Sequence, residues 1–480
     1  MEASIASAQN NTHTHYFVAP CLPLRDGRAR SPKPANMKTE TFDRLLADGD
    51  ETTAGNYFVA NYPPFSFWQK DKADEVQRAL AQPAPAGVPL GVYFHIPFCR
   101  KRCHFCYFRV YTDKNADEIK GYLDLAMREF ERYAATPRIA GRKPRFVYFG
   151  GGTPSYLSVA QLTALTDRMK ALLPWDEAEE VAFEAEPGTL TEAKLQAIRD
   201  IGVTRLSLGV ENFDKHLLEI NGRAHREDEI YRAYDFARKI GFPQINIDLI
   251  AGMIEESDEN WQRNIAKTIE LQPDSVTIYQ MEIPYNTTIY QQMKAEGKLV
   301  APVADWHTKR RWVDEAFSAL ERAGYSVTSA TTAVRDPQKT KFLYRDLLWQ
   351  GADLLGLGVA SFSHVAGVHF QNLPDFETYT AAVQRGDLPI GRALVTTEEE
   401  RMIRELILQL KLGRVSQSYF REKFGIVIAE RFNQQLAELT RRGLISEHGD
   451  WLVLTREALL KIDVILHAFF LPQHQNARYT

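Results

Sequence analysis

Short apolar runs alternate with longer amphipathic stretches through the middle of this chain, and no other feature restricts its fold as strongly. The runs are GVYFHI (91–96), RFVYFG (145–150), VAFEAE (181–186), RLSLGV (205–210), INIDLI (245–250), SVTIYQ (275–280) and YSVTSA (325–330). Each has strand length and strand-favouring residues. The stretches between them read as helices. Ile119, Tyr122, Leu123, Ala126 and Phe130 recur at helical spacing behind a cap formed by Asn115 and Glu118, and Ser158 with Gln161 repeats that start signal. Strands joined by crossovers of this length predict a parallel sheet covered by helices, hence an α/β fold built as a complete or partial β/α barrel. Barrels of this type place their chemistry at the carboxyl ends of the strands. Polar groups collect there in this sequence: Glu184, Glu186, Glu211, Asn212, Asp248, Gln280 and Glu282.

The flanks differ in character. Residues 1–85 form an N-terminal extension that ends in the aromatic run NYPPFSFW (61–68) and a linker, AQPAPAGVPLG, whose prolines argue against a helix. Tyr62, Phe65, Phe67 and Trp68 are expected to pack against the main domain, with a lid over the site as the alternative. The barrel is expected over 86–395, and 396–480 reads as a helical, winged-helix-like cap. Basic residues in this cap are interleaved with Glu422, Glu430, Glu438 and Glu447, which favours a structural role over DNA binding. The net charge of −4 carries no excess that points to nucleic acid or anionic membrane. Neither a signal-peptide pattern nor a membrane-length apolar run is present, so a cytoplasmic chain is expected.

The stretch YFHIPFCRKRCHFCYFR (93–109) contains Cys99, Cys103 and Cys106, with the fourth cysteine, Cys21, far away. That is too few and too uneven for a secreted disulfide scaffold. A [4Fe-4S] cluster on three thiolates would keep one iron open for a small molecule. A Cys3His zinc site using His95 or His104 is the competing arrangement, and plain packing is the third. One strand later comes GGGTP (150–154), where glycines allow the backbone to approach a ligand closely. Asp248 and Glu184 lie within apolar strands and would be costly to bury unpartnered, so each is expected to bond a ligand or cap a neighbour. Arg223, in NGRAH, has the geometry to grip a carboxylate.

Taken in order, YFHIPFCRKRCHFC, FGGGTP, SLGVENFD with NGR, INIDLIAG and GADLLGLGVASFS resemble the oxygen-independent coproporphyrinogen III oxidase family of radical S-adenosylmethionine (SAM) enzymes. The resemblance runs from about Tyr93 into the C-terminal region. It implies that Cys99, Cys103 and Cys106 ligate a [4Fe-4S] cluster and that SAM occupies the open iron. It also implies a SAM site lined by Tyr93, Gly151, Gly152, Thr153, Glu184, Glu211, Arg223 and Asp248, with Phe105 in the dry aromatic surround. Tyr93, Glu184, Arg223 and Asp248 become the candidates for a catalytic role. By the same resemblance, the loop 356–363 and the following Phe370, Gln371 and Asn372 lie near a second SAM or the substrate, which makes Gly358 and Gln371 candidate binding residues. One-electron reduction would yield methionine and a 5'-deoxyadenosyl radical, and the electron would come from a partner such as flavodoxin or ferredoxin.

Departures from the family pattern bear on the reaction. Porphyrinogen-decarboxylating members usually carry a further cysteine where this chain has Phe108; Glu211 stands where glutamine is common, and Met253-Ile254 replaces a frequent Leu-Pro. The heme chaperones' His-Asn and Tyr-Trp motif is reduced here to little beyond Trp349 in YRDLLWQG (344–351). The expectation is therefore the class C methyltransferase and cyclopropanase branch, which uses two SAM molecules to modify an sp2 carbon. Oxidative decarboxylation and heme handling are the alternatives within the family. A zinc-stabilised DNA-binding protein is the alternative outside it.

Overall fold

The computed structural model describes residues 51–475. Six strands run parallel in chain order: β1 (Leu90–Ile96), β2 (Phe146–Gly151), β3 (Glu180–Ala185), β4 (Arg205–Glu211), β5 (Gln244–Ala251) and β6 (Ser275–Gln280). At the far edge β7 (Ser326–Val327) and β8 (Thr332–Val334) add antiparallel pairs. At the near edge β9 (Asp353–Leu357) lies parallel to β1, followed antiparallel by β10 (Phe362–Val365), β11 (Val368–Asn372) and β12 (Ile390–Val395). The result is one 12-stranded sheet, in the order β12-β11-β10-β9-β1-β2-β3-β4-β5-β6-β8-β7. Its two ends do not pair, so the barrel is partial.

The expected strand at 325–330 is the exception to the parallel pattern. Only Ser326–Val327 pairs, antiparallel to β8, because the chain reverses where Thr328 and Ser329 donate their N–H groups to the Thr332 carbonyl. No crossover fits in so short a return.

Strand alternation explains where the core lies. In β1, Val92, Phe94 and Ile96 pack outward with the covering helices, alongside Val147 and Phe149 of β2 and Phe183 of β3. Tyr93 and His95 take the opposite face and point into the concavity, as period-two geometry requires. The expected caps form: the Asn115 side chain accepts from the N–H groups of Asp117 and Glu118, both at 3.0 Å, and opens the helix Ala116–Ala134. Ser158 and Gln161 do the same for Val159–Leu172. A two-turn helix, Ala73–Leu80, escapes the sequence pattern because only Val76 and Leu80 are buried in it.

Helices Glu398–Leu410, Gln417–Phe424 and Asn433–Arg441 combine with β13 (Arg414–Ser416), β14 (Ile445–His448) and β15 (Trp451–Leu454) in a winged arrangement. Their core takes in Val59 and Tyr62 from the N-terminal segment. Trp68 stacks flat on His369 of β11, with 5.2 Å between ring centroids, and Phe65 meets Phe362 of β10 at 5.3 Å. The aromatic run is thus packed, and its Phe65 reaches the ligand end of the sheet. No helix among the described residues is long and apolar enough to cross a membrane. Cys21 lies outside the described residues.

Candidate functional site

The cysteine loop leaves β1 at its carboxyl end and is tied down on three sides. Cys99 N–H donates to Tyr111 O and Tyr111 N–H to Pro97 O, at 3.1 and 2.8 Å, which closes the loop's base. His104 N–H donates to Asn221 O, Ile289 N–H donates to His104 O, and Asn286 Nδ2 donates to Tyr107 O. Arg102 bonds the carbonyls of Cys106 and Asn286, at 3.1 and 2.9 Å. The loop is therefore closed on itself just past β1 and held by the segment after β4 and the segment after β6.

Two of the three sulfurs carry donors. Thr153 Oγ1 lies 3.2 Å from Cys99 Sγ and the Arg223 guanidinium 3.3 Å from Cys103 Sγ. Such donors favour thiolate over thiol. Burial works the other way and pushes the free thiols up, Cys99 to about 11 and Cys106 to about 12. The Gly-rich turn comes close: a Cβ at Gly152 would sit 2.9 Å from Ile96 O and 3.1 Å from Cys99 Sγ. Only glycine allows Gly152 N–H to reach Ile96 O at 2.8 Å without that clash.

Around the concavity the inward side chains of successive strands form a polar girdle. Glu184 accepts from Tyr148 Oη at 2.6 Å and from Gly151 N–H at 3.2 Å; burial pushes its carboxyl up to about 7, against the pull of the Tyr148 bond. Asp248 accepts from Ser207 Oγ and Asn246 Nδ2, both at 2.8 Å, and burial raises it as well. Glu211 is held at φ 65°, where β4 carries a register shift, and its Oε1 is 3.6 Å from Arg223. A non-glycine residue in that region is strained and persists only when its surroundings impose it. Burial raises Glu211 to about 7. Tyr93 Oη contacts His95 Nδ1 at 3.1 Å, and burial lowers His95 to about 4, so that ring is neutral. Among the described residues, Arg223 Nε and Gln280 Oε1 are buried with no partner, which is what a polar ligand would supply.

Other expected site residues lie elsewhere. Phe105 packs against the apolar cluster of Ile250, Met253 and Met281, so it is a wall behind the loop. Gly358, at φ 94°, faces the Tyr122 hydroxyl, and its N–H donates to Glu129 at 2.9 Å. It shapes the β9–β10 turn. Gln371 donates to Ala360 O at 3.1 Å within the same turn. Burial raises the Glu186 carboxyl, but its bonds with His225 and then Arg100 outweigh that and lower it to about 2. Asn212 is engaged with Glu256 and Asn260, and Glu282 accepts from Tyr57 N–H of the N-terminal segment. Those strand-end groups serve architecture.

Sequence reasoning passed over Tyr148, Ser207 and Asn246, which hold the two key carboxylates. Their signal is parity: each lies on the inward face, beside an acid or two residues from one. Of the two histidines of the zinc alternative, His104 has Nδ1 2.9 Å from Ile220 O with its ring over Gly222, and His95 has Nδ1 3.1 Å from Tyr93 Oη. Among the described residues, no group of three or more His, Cys, Asp or Glu side chains is arranged to hold a single ion. A polynuclear cluster spreads its thiolates over several irons and does not require that convergence.

Comparisons with known proteins agree with this geometry. The radical SAM superfamily profile matches residues 93–267, and the HemN C-terminal domain profile matches 396–460. The heme chaperone HemW of Bacillus subtilis (strain 168) is 27% identical over 381 residues, 78% of this chain and 98% of that protein. The oxygen-independent coproporphyrinogen III oxidase of Escherichia coli (strain K12) is 27% identical over 406 residues, 81% of this chain and 87% of that one. The chain is thus similar to radical SAM proteins over residues 93–267 and to HemN and HemW proteins over most of its length. The structure of HemN from Escherichia coli has the same fold, with a TM-score of 0.75 at 24% identity, covering 87% of this chain and 99% of that one. The radical SAM superfamily is one whose members use a [4Fe-4S] cluster, SAM and a reductant. The donors to Cys99 and Cys103, the close glycine and the unpartnered Arg223 Nε fit such a group.

Proposed function

We propose that Cys99, Cys103 and Cys106 hold a [4Fe-4S] cluster whose open iron takes SAM, and that the enzyme uses the resulting radical to remove hydrogen from an unactivated carbon. The observation that carries this reading is the three-cysteine loop beside a Gly-rich turn, with Thr153 and Arg223 on two of the sulfurs. When bound, the cluster and SAM supply the bond cleavage that yields methionine and a 5'-deoxyadenosyl radical. The chain's residues bind and orient. Gly151 and Gly152, lacking side chains, would leave room for the methionine moiety, and Arg223 would pair with its carboxylate. Glu184, Asp248 and Glu211 offer acceptors for amino and ribose hydroxyl groups. Tyr93 and Tyr148, stacked at 5.8 Å, wall the concavity and exclude water.

For the reaction, the relatives support oxidative decarboxylation of a coproporphyrinogen-like substrate, since those named coproporphyrinogen III oxidase align over most of both chains. A second reading, two-SAM methyl or methylene transfer, is favoured by Phe108, which stands where decarboxylating members usually have a cysteine. Its ring is exposed and stacked on Tyr107 at 4.4 Å, so the loop presents an aromatic surface there. Anaerobic reconstitution, reduction and incubation with SAM and coproporphyrinogen III separates the two. Deoxyadenosine with released carbon dioxide supports decarboxylation. S-adenosylhomocysteine formed alongside deoxyadenosine, only when substrate is present, supports transfer. Cleavage of SAM that survives Cys103→Ala would overturn the cluster assignment itself.

A further inference from the structure

The inner face of the sheet continues past the cluster site. Tyr93 of β1 pairs with Gly356 of β9, Phe362 of β10 pairs with Gln371 of β11, and Gln371 pairs with Arg392 of β12. The antiparallel β9–β10 pair, with His364 opposite Leu354, sets Phe362 against Gly356. These residues form one row, and paired residues share a face. The opposite face of β11 is taken by Phe370, which packs on Tyr133 of the covering helix. With neighbouring strands about 4.8 Å apart, Phe362 is roughly 10 Å and Arg392 roughly 19 Å from Tyr93 along the sheet.

Arg392 is chemically unfinished. Its guanidinium lies over the Phe65 ring at 4.1 Å and, among the described residues, has neither a hydrogen bond nor an ion pair. Partial burial lowers its pKa, and no acid offsets that cost. Other buried and half-buried guanidiniums are engaged: Arg138 and Arg142 with Asp353, Arg238 with Asp274, Arg404 with Asn61. Beside it, Phe362 is 45% exposed at the mouth and touches the same Phe65. A cation fixed on an aromatic face, next to an exposed ring and with its five donors free, matches an organic anion with a flat apolar body.

We propose that Arg392, Phe65 and Phe362 form an anchor that binds a carboxylate of the ligand carried above the cluster, so that the N-terminal extension contributes to specificity. The inference deepens the proposed function and rests on its placement of the reacting centre near Tyr93. The carboxylate can come from the substrate or from the methionine part of a second SAM.

The test uses reconstituted holoenzyme and its Arg392→Gln and Arg392→Lys variants, titrated by fluorescence with pyrenebutyrate and its neutral counterpart pyrenebutanol. SAM affinity and KM for coproporphyrinogen III are measured in parallel. The wild type should bind the acid at least tenfold more tightly than the alcohol. Arg392→Gln should abolish that preference while keeping the melting temperature, and Arg392→Lys should keep part of it. Equal binding of acid and alcohol by the wild type, or an unchanged preference in Arg392→Gln, overturns the anchor. If coproporphyrinogen is not turned over yet the preference depends on Arg392, the anchor stands and the reaction assignment falls. A fall in coproporphyrinogen affinity alone assigns the anchor to substrate, and a fall in SAM affinity alone assigns it to the methionine carboxylate.

Discussion

Glu129 offers the sharpest test of how the β9–β10 turn is held over the site. The residue is fully buried on the helix Ala116–Ala134 and accepts three hydrogen bonds: from Tyr379 Oη at 2.5 Å, Asn372 Nδ2 at 2.6 Å and Gly358 N–H at 2.9 Å. Glu129→Ala strands three buried donors. At about 1–3 kcal/mol for each unsatisfied group, with partial relaxation, the loss should be about 3–6 kcal/mol. Burial pushes the carboxyl up to about 7 while its three donors pull it down. Its folded pKa therefore lies above the unfolded value of roughly 4.3. Between those values the unfolded chain has lost the proton and the folded chain still holds it, so stability from this group falls as pH rises from about 4 to 7. The ceiling on that fall is about 4 kcal/mol. Urea unfolding of wild type and Glu129→Gln from pH 5 to 8 reads the difference directly, because the glutamine variant lacks this titration. Hydrogen exchange at Gly358 reads the turn itself. A loss below about 1 kcal/mol in Glu129→Ala, with Gly358 protection unchanged, would refute the claim that this carboxylate holds the turn.

Two further substitutions probe the frame around the site. Gly152→Ala puts a methyl 2.9 Å from Ile96 O, with the rigid Pro97 backbone equally close, so the cysteine loop must shift. The variant should fold with a small drop in melting temperature but retain far less iron and sulfide after reconstitution, measured by chemical analysis. Asp353→Ala removes the carboxylate shared by Arg138 and Arg142 beneath β9 and should cost about 3–5 kcal/mol in chemical denaturation, because two desolvated cations lose their partner.

The parallel strands were legible because their outward residues are uniformly apolar: Val92, Phe94 and Ile96 of β1 would have few other places to go. Strands β10 to β12 were not, since their inward positions hold His364, His369, Gln371 and Arg392, which break the apolar run and read as loop. Glu184 and Asp248 stood out because a carboxylate in an apolar run needs a reason. Tyr148 and Ser207 did not, because hydroxyls are common in strands and carry no such penalty on sight. Arg223 was weak on its own for a different reason. It meets Cys103 only through the fold, across 120 positions of chain, and no local pattern encodes that contact.

The charge balance of the concavity connects these residues to a ligand. Glu184, Glu211 and Asp248 lie on adjacent strands; burial raises all three, Asp248 adds to the cost of ionising Glu184, and both add to that of Glu211. Arg223 offsets part of this, but it is also committed to Cys103 Sγ and the Gly209 carbonyl. Acids gathered so closely in a desolvated cavity favour a ligand that brings positive charge and several donors. SAM brings a sulfonium, an ammonium and two ribose hydroxyls. Under the proposed function, loss of the sulfonium charge on cleavage would weaken that attraction and so ease departure of the fragments.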